Sequence, residues 1–156
     1  MRSIHFKGIH MNRWVFGDLI HKNGAPFIGL IDQHIYQVAE ETVCEFTGVL
    51  DFTKWDELPE NERSELMQTY HEKAVDANIS IDSFWKGIPI YENDILECEN
   101  LFDSNIKFRG VVKHNKGGFG VEFQNPNGMQ FIPLQDLIEF SYKSVGSIFQ
   151  IVNQNT

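Results

Sequence analysis

Apolar and polar positions repeat along this chain at two different periods, and the change from one to the other marks its organisation. From Arg13 to Ile20 the run is dense in aromatic and β-branched residues, the texture of a strand. Asn23-Gly24 follows, a pair that tolerates positive φ at both positions and so predicts a tight hairpin, with Phe27–Ile31 returning. Short strands are expected at Ile35–Val38 and Thr42–Phe46, and Thr47-Gly48 closes the block. Strand texture resumes at Ile88. Within Ile106–Lys113 the alternation sets Ile106, Phe108 and Val112 on one face and Lys107, Arg109 and Lys113 on the other. Asn115–Gly118 predicts a hairpin loop, Phe119–Phe123 its return strand and Asn125–Gly128 another turn. One or two short strands are expected in Met129–Phe140 and a last one in Ser144–Phe149.

Between these blocks the period changes. Leu66, Met67, Tyr70, Ala74 and Ala77 recur at spacings of three and four, behind Pro59, Glu60, Glu62 and Glu65. Proline pre-sets the first turn of a helix and acids there complement its dipole. The pattern predicts one amphipathic helix over 59–77, stopped near Asn78, with an acidic solvated face. The fold class expected is mostly β: an N-terminal β block at 1–50, an acidic helical insertion at 51–86, and a C-terminal unit at 87–156, packed together. Short, evenly spaced strands with turns between them suggest a small barrel for the last. Trp14, Val15, Phe16, Phe46, Ile95, Val111, Phe119, Val121 and Ile148 are expected to be buried.

Composition narrows the class. The 156 residues are 42% hydrophobic, with 13 Phe, 4 Tyr and 3 Trp, enough for a single core and too apolar for wholesale disorder. Net charge is −9, the wrong sign for a protein that coats phosphates. The charge is unevenly spread, however: residues 1–50 carry −1, 51–100 carry −9 and 101–156 carry +1. A basic surface on the C-terminal part therefore survives the total. Cys44 and Cys98 lack zinc or redox spacing and are expected to be reduced thiols. Met1–Gly8 has no apolar signal region, and the longest apolar runs are far too short for a membrane span. A cytoplasmic protein is the expectation.

The punctuation of the chain carries a resemblance. Asn12–Leu19 is followed by Glu41–Gly48; after the insertion come Lys86–Leu96, Gly110–Val112, Gly118–Val121 and finally Val145–Ile148. This order of blocks resembles the YopX family of phage and prophage proteins and covers nearly the whole chain outside about 51–85. Three departures stand out. Asn93 occupies a turn position where the family has Gly. The closing pair is Gly146-Ser147 rather than Gly-Asn, with no acidic tail after it. The acidic helix replaces a short Gly-containing turn. The resemblance implies a mostly β protein with an SH3-like barrel in its C-terminal part and a phage or prophage origin in a bacterial cytoplasm. It implies no enzymatic activity and supplies no catalytic residues.

Chemistry-bearing groups are sparse. His5, His10, His21, His34, His71 and His114 form no helical metal pair, and no nucleophile elbow is present. Glu92, Asp94, Glu97 and Glu99 form the densest carboxylate group, but in a strand Asp94 faces away from Glu97 and Glu99, so a divalent metal is not expected. Gly117–Gly120 lies between strands and is a hairpin, not a phosphate loop. The remaining candidate is the basic run Lys107, Arg109, Lys113 and Lys116, with His114 among them and Phe108 and Phe119 nearby, which suits nucleic-acid binding by a small barrel. A solvated strand face or ion pairing with the acidic helix would explain the same residues. No cofactor and no metal are expected. The function expected is non-enzymatic: a phage accessory protein that binds another protein, or itself, with the insertion helix as its docking element. Nucleic-acid binding through residues 107–116 is the alternative.

Overall fold

Two antiparallel sheets realise the strand texture. The first contains β1 (Phe6–His10), β2 (Arg13–Lys22), β3 (Ala25–Gly29), β4 (Ile35–Gln37), β5 (Cys44–Leu50) and β6 (Pro89–Tyr91), in the order β4-β3-β2-β1-β5-β6. The second contains β7 (Asp94–Asn100), β8 (Lys107–Asn115), β9 (Gly118–Asn125), β10 (Gly128–Pro133) and β11 (Phe140–Ser147), in the order β10-β9-β8-β7-β11. The computed structural model describes residues 5–29, 34–64 and 86–149. The class is mostly β.

The turns sit where the sequence puts them. Asn23 and Gly24 have φ of 54° and 80° and join β2 to β3 in register, Lys22 opposite Ala25. Asn93, in place of glycine, takes φ of 70°, a conformation asparagine accepts at little cost. Asn115 pairs with Gly118, and Asn125 with Gly128, closing two further hairpins. A turn at Met11 and Asn12, with φ of 46° and 64°, joins β1 to β2 and has no glycine to announce it. Residues 60–64 are helical, and the Arg63 N–H donates to the Pro59 carbonyl at 3.0 Å, so a helix starts where Pro59 predicts. The rest of the expected 59–77 helix lies outside the described residues.

Each sheet has its own core. Ile90, Leu96, Cys98, Val112, Val121, Leu134 and Leu137 form the larger, and Val15, Ile28 and Val38 the smaller. Strand β6 follows the insertion in sequence yet pairs with β5, Phe46 opposite Tyr91 and Leu50 opposite Pro89. Its Ile90 belongs to the core of the second sheet. The chain therefore passes from one sheet to the other at the Glu92-Asn93 turn.

Two expectations change. The second sheet is open rather than a closed SH3-like barrel: its order ends at β10 and β11, which do not pair. The outer side of β11 is taken instead by the segment leaving β5, since the Phe52 N–H donates to Tyr142 O at 3.0 Å and the Ser144 N–H to an Asp51 carboxylate oxygen at 2.8 Å. The burial phase is also shifted. Val15 and Val121 are buried, but Trp14, Phe46, Ile95, Val111 and Phe119 are half-buried, and Phe16 and Ile148 are exposed. Successive residues of a strand face opposite ways, so Trp14, Val15 and Phe16 cannot all point inward. In β7 the inward set is Asp94, Leu96 and Cys98.

Candidate functional site

The basic run lies where the alternation put it. Lys107, Arg109 and Lys113 are on β8 and Lys116 is in the turn that follows. Two of the four face acids on the neighbouring strand. Lys107 stands opposite Glu99, and Arg109 stands opposite Glu97 and makes an ion pair with it. Lys113 Nζ donates to Asn93 Oδ1 at 2.9 Å. The Arg109–Glu97 pair is itself exposed, as the solvated strand face among the sequence expectations requires, and the helix that was the other expected partner lies mostly outside the described residues. Phe108 is no stacking platform: its ring is half-buried between Phe123, at 4.2 Å between centroids, and Phe140, at 5.5 Å. His114 packs edge-on against Phe119 at 4.9 Å.

The carboxylates separate as the strand period requires. Glu97 and Glu99 are exposed on one face and Asp94 is buried on the other. Among the described residues no three His, Cys, Asp or Glu come together as metal ligands. Cys44 and Cys98 are buried free thiols. Burial alone pushes the Cys98 thiol up to about 12, and Cys44 is also raised, chiefly by burial, so neither is a poised nucleophile.

An ion pair that no sequence signal marked joins the two sheets. Lys7, on β1 and only 7% exposed, donates from Nζ to Asp94 Oδ1 at 2.7 Å. The other Asp94 oxygen accepts the Tyr91 N–H at 2.9 Å. The ammonium lies 4.4 Å from the Trp14 ring centre and 4.9 Å from that of Tyr91. These aromatic faces replace water around the cation. Both charges are buried and face each other, which makes the arrangement a staple rather than a site.

The surface most suited to a partner is apolar. Between β7 and β8 the loop 101–106 is held by side chain to backbone bonds. Asn100 Oδ1 accepts the N–H groups of Phe102 and Asp103 at 2.9 and 3.1 Å, and Asp103 Oδ1 accepts that of Asn105 at 3.0 Å. The backbone closes it, Asn100 N–H to Ile106 O at 2.8 Å and Ile106 N–H to Asp103 O at 3.0 Å. On this ordered scaffold Phe102 is 83% exposed, with Leu101 and Ile106 also exposed. The Leu101 N–H donates to Glu139 O at 2.8 Å, setting the loop beside Ile138, itself 81% exposed. Ile138 is also a wall of a shallow groove of about 390 Å³ lined by Val49, Phe52, Phe119, Leu134, Leu137, Phe140 and Tyr142, among others. Asp103, Asp136 and Glu139 are exposed around this end of the sheet. Large apolar side chains held out on rigid backbone and rimmed by charge mark interaction surfaces. The apolar residues of 101–106 were visible in the sequence, but their exposure depends on the loop bonds and on the bond to Glu139.

Among the described residues no helix is long and apolar enough to cross a membrane. No family model, curated protein or solved structure matches this chain.

Proposed function

We propose that this chain is a non-enzymatic binding protein that engages another protein through the exposed apolar end of its C-terminal sheet. The observation that carries the reading is the presentation of Phe102, Leu101 and Ile138 to solvent on hydrogen-bonded backbone, next to an apolar groove. Preordered aromatic and aliphatic anchors lose little entropy on docking and are the usual energetic centres of protein interfaces. The acidic rim of Asp103, Asp136 and Glu139 suits a partner whose apolar pocket is framed by Lys or Arg. A protein partner is favoured over nucleic acid because Glu97 pairs with Arg109, Glu99 faces Lys107, and Phe108 is packed between two rings. A phage accessory role in a bacterial cytoplasm follows from the YopX-like order of blocks. The positive φ of Asn93, where that family has glycine, is compatible with it.

The test compares affinity capture from a bacterial host by three full-length forms: wild type, Phe102→Ser/Ile138→Ser, and Lys107→Gln/Arg109→Gln. The expected result is a protein retained by wild type and by the basic-strand variant, resistant to nuclease, and lost from the apolar variant. Retention by the apolar variant with loss from the basic-strand variant, or loss after nuclease treatment, would move the site to residues 107–116.

A further inference from the structure

Edge strands must be kept from pairing with other chains, and three of the four edges here carry a feature that does so. Strand β4 is three residues long; β6 is equally short and begins at Pro89. Strand β11 has a bulge between Ser144 and Gly146, and its outer side bonds to Asp51 and Phe52. Strand β10 has none of these. Its six residues, Gly-Met-Gln-Phe-Ile-Pro, pair one to one with β9 without a register shift. None is charged, proline stands only at the last position, and no hydrogen bond reaches its outer side among the described residues.

We propose that a second copy of this chain pairs antiparallel along Gly128–Pro133, joining two C-terminal sheets into one. Charge selects this occupant. Two copies of a −9 chain repel, but the excess lies in residues 51–100, while 101–156 carry +1 and β10 itself carries nothing. Two-fold pairing sets each residue of the strand against another from the same six, so no like charges meet. A charged peptide would find backbone partners here but no opposite charge on β10 to answer its own. Alternation fixes which registers are possible: residues directly opposite must share a face, so the axis runs midway between the two copies of one residue. Centred on Gln130, it sets Met129, 57% exposed, against Phe131 of the second copy on the outer face. The Phe131 ring is already seated over Gly120, where a Cβ would collide with it, so it is ordered before pairing. Ile132 stays on the core face, packed against the buried cluster. This edge is separate from the apolar groove, and the proposal does not rest on it.

Sedimentation equilibrium of the full chain from micromolar to millimolar concentration tests this. The expected result is a reversible dimer. Met129→Lys should weaken it about tenfold or more by placing like charges across the seam, with an unchanged melting curve, and mixing with Met129→Glu should restore it. Amides within 128–132 should gain hydrogen-exchange protection as concentration rises. Phe102→Ser/Ile138→Ser should leave the dimer intact. A monomer throughout the range, a dimer unaffected by Met129→Lys, or a dimer abolished by the groove variant instead would overturn the proposal.

Discussion

Lys7 and Asp94 show how one pair of residues can hold two sheets together. Each ion loses most of its hydration, and the 2.7 Å contact, the Tyr91 N–H and two aromatic faces replace it. Removing one partner leaves the other buried and unanswered, which costs about 3–5 kcal/mol, whereas replacing both with apolar groups is often neutral. Asp94→Ala should therefore destabilise the chain by about that amount in urea unfolding, and Lys7→Met/Asp94→Leu should recover most of it. If the double variant were as unstable as the single one, packing rather than charge would be the cause. Burial raises the Asp94 carboxyl above its ordinary value of 3.8, against the pull of Lys7. The folded state then binds this proton more tightly than the unfolded state. The stability it contributes is full below 3.8 and falls as pH rises through the folded value. The stability gap between wild type and Asp94→Asn should be wider at acid pH than at neutral pH. A gap that widens towards neutrality would reverse the assignment.

Elements meet at Asp51, just past the end of β5. One carboxylate oxygen accepts the N–H groups of Thr53 and Ile88 at 2.9 and 2.8 Å, and the other accepts the Thr53 hydroxyl at 2.9 Å and the Ser144 N–H at 2.8 Å. The clamp ties β5, the approach to β6 and β11, so it fixes the outer side of β11 that a closed barrel would have needed. It requires close approach by Gly87, whose φ is 124° and where an added Cβ would collide with the Asp51 carbonyl. Gly87→Ala should lower stability by about 1–3 kcal/mol or more. Gly24→Ala is the control: its φ of 80° is also positive, but it faces open space. Thermal melts should show the larger loss at Gly87; equal losses would assign the whole effect to φ and remove the close approach from the account.

Across the whole molecule, what could be read in the sequence was what local chemistry decides. The strand class, the Asn23-Gly24 and Asn93 turns, the start of a helix after Pro59 and the facing of Phe108 against Lys107 and Arg109 all follow from residues near one another in the chain. What could not be read depends on distant partners. Asp94 faces inward in phase with the buried Leu96 and Cys98 and meets Lys7, 87 residues away, leaving Ile95 half out. Ile90 serves the second sheet's core from a strand of the first. The basic run was legible, but the pairing of Arg109 with Glu97 needed the register, and the exposure of Phe102 and Ile138 needed the bond from Leu101 to Glu139. The net charge of −9 belongs to the middle third, so it describes that region more than the surface proposed for binding.

The most direct test of that surface is the amide hydrogen-exchange footprint of the full chain bound to the captured partner. New protection is expected in 101–106 and 134–140, with residues 107–116 unchanged. Protection confined to 107–116, and abolished by nuclease, would contradict it.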